Sequence, residues 1–130
     1  MGDDDGTFYA LNAATGAILW RTPFGSPQDG YFLWSSPAVF DGSVYMGVAS
    51  IGDCPLVQGR VVKMDAATEA VQTTFQVVPT GYTGGGVWSS VTVDTQDSAL
   101  YVSTGTPGSC SNPEPHGRAI RGGGPQVAGR

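Results

Sequence analysis

The sequence of 130 residues holds a single histidine and only two cysteines, Cys54 and Cys110. With no Cys-x-x-Cys pair and no second histidine, it carries no zinc-type ligand pattern. Charge is scarce too: 13% of residues are charged, and the six Lys and Arg are scattered within a net charge of −5. Neutralising phosphates takes clustered cations, so charge-driven binding to nucleic acid or to an anionic membrane surface is excluded. No run approaches the roughly 18 apolar residues that a membrane span requires. The start, Met-Gly-Asp-Asp-Asp-Gly, is acidic where a secretion leader is basic and then apolar. A Gly-x-Ser-x-Gly nucleophile elbow is missing. His116 stands beside the proline-rich Pro113-Glu114-Pro115 with no nucleophile motif, which reads as a surface histidine. Asp3, Asp4 and Asp5 are consecutive, where a calcium loop needs alternating carboxylates. No residue of the chain qualifies as catalytic on these patterns.

What is abundant points elsewhere. Twenty glycines and nine prolines accompany a hydrophobic content of 40%. That is too apolar for intrinsic disorder, and Val, Thr and Tyr between turn residues make short strands. No segment has helical periodicity with caps, so the expected class is all-β. Strands are expected near 7–12, 17–22, 35–41, 43–49, 59–65, 70–77, 88–94 and 99–104. Val44, Met46 and Val48 alternate with Tyr45 and Gly47, as in a half-buried strand.

Two segments repeat in matching order. Leu33-Trp34-Ser35-Ser36-Pro37 returns as Val87-Trp88-Ser89-Ser90-Val91, an offset of 88 − 34 = 54. Tyr9-Ala10-Leu11-Asn12-Ala13-Ala14-Thr15-Gly16 returns as Val62-Lys63-Met64-Asp65-Ala66-Ala67-Thr68-Glu69, an offset of 65 − 12 = 53. The Asn or Asp accepts from backbone amides two or three residues on, and the eighth position favours glycine, so the Glu69 copy is expected to be more strained or differently shaped. Cys54 and Cys110 fall in equivalent loops, where they pair if those loops lean together. Four strands per repeat of about fifty residues is the arithmetic of a propeller blade. The expected architecture is about two four-stranded antiparallel blades across 1–120, as half, full and half blade. Residues 121–130 lack alternating apolar positions and are expected to form a disordered tail outside the repeat.

Ala10-Leu11-Asn12-Ala13-Ala14-Thr15-Gly16-Ala17-Ile18-Leu19-Trp20 resembles the repeat of pyrroloquinoline-quinone (PQQ) propeller proteins, whose tryptophan docks one blade on the next. Thr73 stands in the tryptophan position of the second copy. Gly84-Gly85-Gly86-Val87-Trp88 with Thr104-Gly105-Thr106-Pro107-Gly108 is similar to a stretch of quinoprotein alcohol dehydrogenases. The resemblance implies a flat quinone resting on Trp88, with Gly85 and Gly86 letting the backbone come close. It also implies Ca²⁺ beside the PQQ of the parent protein. Here Thr106 stands where the family has a calcium-ligating asparagine, and the family's catalytic aspartate has no match. The pattern is nearest to polyvinyl alcohol dehydrogenase-like members. Expected partners are the remaining blades or copies of the chain, and the expected setting is periplasmic or extracellular. The alternative is a non-catalytic propeller scaffold for protein interaction or envelope assembly.

Overall fold

A computed structural model describes residues 1–105, 108, 109, 112, 113 and 120–123. In chain order the strands are β1 (Thr7–Leu11), β2 (Ile18–Pro23), β3 (Tyr31–Phe32), β4 (Ala38–Phe40), β5 (Ser43–Ser50) and β6 (Arg60–Asp65). They continue as β7 (Val71–Gln76), β8 (Thr92–Asp94), β9 (Ala99–Val102), β10 (Gly108–Ser109), β11 (Asn112–Pro113) and β12 (Ile120–Gly123). One 3-10 turn, Pro27–Asp29, precedes β3. The fold is all-β; among the described residues every pairing between these strands is antiparallel, and one isolated bridge, Gln58 with Gly84, is parallel.

Local chemistry explains the hairpins. Asn12 Oδ1 accepts from the Ala14 and Thr15 amides at 2.9 and 3.0 Å, and Gly16 closes the turn at φ 73°. Asp65 repeats the arrangement with Ala67 and Thr68 at 2.9 and 2.8 Å. Glu69, in the glycine position, is held at φ 62°, the strain expected there. Between β4 and β5, Asp41 and Gly42 lie at φ 47° and 68°, as a tight two-residue hairpin with right-handed strand twist requires.

Three sheets stack. The middle one runs β3-β5-β6-β7, with β4 also pairing on β5. Because side chains alternate across a strand, β5 and β6 feed two cores. Val44, Met46, Val48, Val62 and Met64 join Phe8, Phe24 and Trp20 of the β1–β2 hairpin on one side. Val61, Tyr45 and Phe75 meet Val87 and Val91, which precede β8, and Leu100 of β9 on the other. The half-buried reading of β5 is therefore corrected: Gly47 and Ala49 are buried as well, because a sheet lies against each face. Trp20 docks as its repeat implies. Its ring lies 5.6 Å from Phe8, and its indole N–H donates to Ala66 O across the sheets at 3.1 Å.

Two strand starts are later than expected, at Ala38 and Thr92. Ser35 Oγ accepts from the Gly47 amide at 3.0 Å and donates to Gly47 O at 3.2 Å. Ser89 does the same with Ser103 at 3.4 and 3.5 Å. A hydroxyl thus replaces the backbone partner, and the ladder begins three residues later. The boundary expected at 120 also moves, since Ile120–Gly123 pairs with β9. Ladder bonds need only backbone, so the missing apolar alternation does not prevent pairing. The rest of 121–130 lies outside the described residues.

Candidate functional site

Trp34 and Trp88 are equivalent in the repeat, yet their surroundings differ. Trp34 is 55% exposed, with its indole N–H donating to Ser50 O at 3.0 Å and its ring 4.4 Å from that of Phe32. Trp88 is 57% exposed, and among the described residues it has neither a ring partner nor a hydrogen-bond partner. The nitrogen edge of Trp88 lies over Gly105, 3.7 Å from where a Cβ there would stand.

The ledge beneath Trp88 is a backbone seam. The Gly84 amide donates to Val57 O at 2.8 Å, and the Gly59 amide donates back to Gly84 O at 2.9 Å. The Val87 amide reaches Val48 O at 3.2 Å, and the Gly105 amide reaches Gly86 O at 2.8 Å. Thr83 adds a clamp: its hydroxyl donates to Gly108 O at 2.6 Å, and the Gly108 amide donates to Thr83 O at 3.0 Å. Glycine is required by space. A Cβ on Gly85 would stand 2.7 Å from Val77 Cγ1, one on Gly86 3.0 Å from Ala49 Cβ, and one on Gly59 2.0 Å from Gly85 O. Gly84 and Gly85 also occupy positive φ, at 85° and 65°. Gly85 is buried and Gly86 half-buried, so of the run Gly86 is the one that borders the surface next to Trp88.

The structure therefore brings Trp88, Gly85 and Gly86 together in one seam. Thr106 lies outside the described residues, as do Cys110 and His116. Cys54 is disulfide-bonded, in a sequence whose one other cysteine is Cys110. Among the described residues, no three His, Cys, Asp or Glu side chains gather into a metal-holding group. Gly59 and Thr83 were not legible as site residues. The Gly59-Arg60 pair marks a loop end without showing that its amide laces to Gly84. No helix of the described residues is long and apolar enough to cross a membrane.

Comparison with known proteins places this seam in context. No family model matches the chain. It is 28% identical to a polyvinylalcohol dehydrogenase from a Pseudomonas species, over 73% of this chain and 18% of that protein. It is 29% identical to a quinohemoprotein alcohol dehydrogenase of Pseudomonas putida, over 93% of this chain and 20% of that protein. A solved quinohemoprotein alcohol dehydrogenase from P. putida superposes with TM-score 0.71 at 25% identity, over 82% of this chain and 19% of that one. The chain is a relative of the PQQ-type propeller proteins. A europium-containing methanol dehydrogenase shares the fold, with TM-score 0.72 at 22% identity over 83% of this chain and 24% of that one. The stacked antiparallel sheets are thus propeller blades. The chain spans about a fifth of the length of the curated PQQ-type relatives it matches.

Proposed function

We propose that this chain is a piece of a quinoprotein dehydrogenase-like propeller in which Trp88 floors the PQQ ring, and that it performs no turnover by itself. The observation carrying this reading is the contrast between two repeat-equivalent and equally exposed tryptophans: Trp34 is pinned by Phe32 and Ser50 O, whereas Trp88 has no ring or hydrogen-bond partner among the described residues. A planar quinone needs a rigid aromatic surface, and the backbone beside this one is laced to β5 through Val48 O and to Gly105. The residues fit a floor. They do not by themselves make a metal site, so the Ca²⁺ of the parent would draw its ligands from outside the described residues or outside this chain. PQQ, if held there in the parent, would supply a two-electron acceptor for alcohol oxidation. An oxidising, periplasmic or extracellular setting suits the bonded state of Cys54.

One further observation favours docking to more sheet, whichever chemistry the parent performs. Tyr9 and Leu11 are the repeat counterparts of Val62 and Met64, which are buried at 2% and 0% exposure beneath the Trp20 hairpin. Leu11 is instead 39% exposed, and Ala13 O is the counterpart of the carbonyl that Trp20 reaches. The outer face of β1–β2 thus presents the receiving half of a blade contact. Remaining blades or a second copy would fill it, and the same surface would serve a non-catalytic scaffold.

Titration of the chain with PQQ and Ca²⁺, followed by tryptophan emission, tests the floor. Saturable quenching that is lost in Trp88→Ala and kept in Trp34→Ala is the expected result. Absence of quenching at high micromolar PQQ, or quenching that Trp88→Ala leaves intact, overturns it.

A further inference from the structure

Cys54 lies exposed in the loop between β5 and β6 and is disulfide-bonded, and Cys110 is the one other cysteine of the sequence. The described residues on either side of that bond are already laced together. Three residues after Cys54, Val57 O accepts from the Gly84 amide at 2.8 Å, and the Gly59 amide returns to Gly84 O at 2.9 Å. Next to Gly84, Thr83 closes on Gly108 through two hydrogen bonds of 2.6 and 3.0 Å. Gly108 stands two residues before Cys110. The disulfide therefore completes a short ring that runs from Cys54 to Val57, across to Gly84 and Thr83, and from Gly108 back to Cys110.

The two sides of this ring are anchored unequally. On the Cys54 side, the Val57 amide donates to Ser50 Oγ at 3.0 Å and Gln58 Nε2 donates to Val78 O at 2.9 Å. Pro55 also packs on Gly30, where a Cβ would stand 2.8 Å from its Cγ. On the other side, the β10–β11 ribbon meets no further strand among the described residues, and its hold is the half-buried Thr83. Two such hydrogen bonds, in competition with water, contribute little net. The covalent bond is then the main tether of Gly108 and, through it, of Gly105, whose amide donates to Gly86 O at 2.8 Å beside Trp88. None of the ring's residues belongs to the core of Phe8, Met46 and Met64.

We infer that the Cys54 disulfide is a redox latch on the Trp88 ledge: reduction by a dithiol frees Gly108 and opens the seam at Thr83 and Gly84, leaving the Phe8–Met46 core closed. In that step the protein's sulfur–sulfur bond becomes two thiols. The dithiol gives up two electrons and two protons and closes to its own cyclic disulfide. The exposure of Cys54 gives the attacking thiolate access. The latch holds whether or not a quinone rests on Trp88.

Amide exchange by two-dimensional NMR, on the whole chain before and after dithiothreitol, tests this. The expected result is exchange at least about tenfold faster at Gly59, Gly84 and Gly108 in the reduced chain, with the amides that pair β5 to β6 unchanged. Reoxidation should restore the slow rates. A chain carrying both Cys54→Ala and Cys110→Ala should show the reduced pattern without reductant, and dithiothreitol should no longer alter it. Equal rates at the three glycines in the oxidised and reduced chains would overturn the proposal. So would an equal acceleration across β5 and β6, which marks general loosening, and a double variant that does not fold reads the same way.

Discussion

At Glu69 a carboxylate side chain occupies a left-handed position that its counterpart Gly16 fills without strain. Its compensation is one exposed hydrogen bond of 3.4 Å from Thr22 Oγ1. Glu69→Gly should therefore stabilise the chain by up to about 1 kcal/mol, read as a higher midpoint in urea with unchanged slope. Asp65 offers a second test. Its carboxyl is held below the usual range, first by the Thr68 amide, then by the Thr68 hydroxyl and the Ala67 amide. Because the folded value is depressed, the stabilisation is present above the ordinary carboxylate value of about 3.9 and fades as pH falls through the lower folded value. Asp65→Asn, which imitates Asn12, should keep the turn while flattening the loss of stability as pH falls below about 4. Both turns were legible in the repeat, because Asx and glycine act through their own backbone neighbours. The difference between Trp34 and Trp88 was not, since it depends on Phe32 and Ser50, which reach Trp34 only through folding.

The strands were legible where pairing is ordinary and misplaced where a side chain intervenes. Ser35 and Ser89 sit beside the tryptophans in identical Trp-Ser-Ser words, and nothing local announces that each hydroxyl closes on a backbone unit 12 or 14 residues away. Ser35→Ala leaves the buried Gly47 amide and carbonyl without that partner, and should cost about 1–3 kcal/mol in chemical denaturation. Ser89→Ala should cost less, because its bonds are longer and more exposed. The glycine seam is stricter. A methyl on Gly59 would meet Gly85 O and the Gly86 amide at 2.0 and 2.6 Å, all of it backbone with no flexible end to yield. Gly59→Ala should destabilise by about 2 kcal/mol or more and shift the amide resonances of Gly84 to Gly86 in two-dimensional NMR. Gly16→Ala, with open space around its Cβ, should show only the cost of its positive φ.

Across the whole molecule, the repeat made the stack readable: two copies of one pattern imply two equivalent sheets and one kind of contact between them. What it hid was how unequally the contacts are built. The first interface has Trp20 and the Phe8–Phe24 pair, whereas Thr73 in the second copy is exposed and the second core rests on valines, Tyr45 and Phe75. Trp20→Phe should thus loosen the β1–β2 hairpin, giving faster amide exchange there while β5 and β6 stay protected. The claim at the centre is that one of two equivalent tryptophans has been released from packing to serve a planar ligand. Chains retaining a single tryptophan, Trp88 in one and Trp34 in the other with phenylalanine elsewhere, isolate the two rings for emission measurements with PQQ and Ca²⁺. The account requires saturable quenching in the Trp88 chain and little in the Trp34 chain. Equal quenching in both, or none in either, would contradict it.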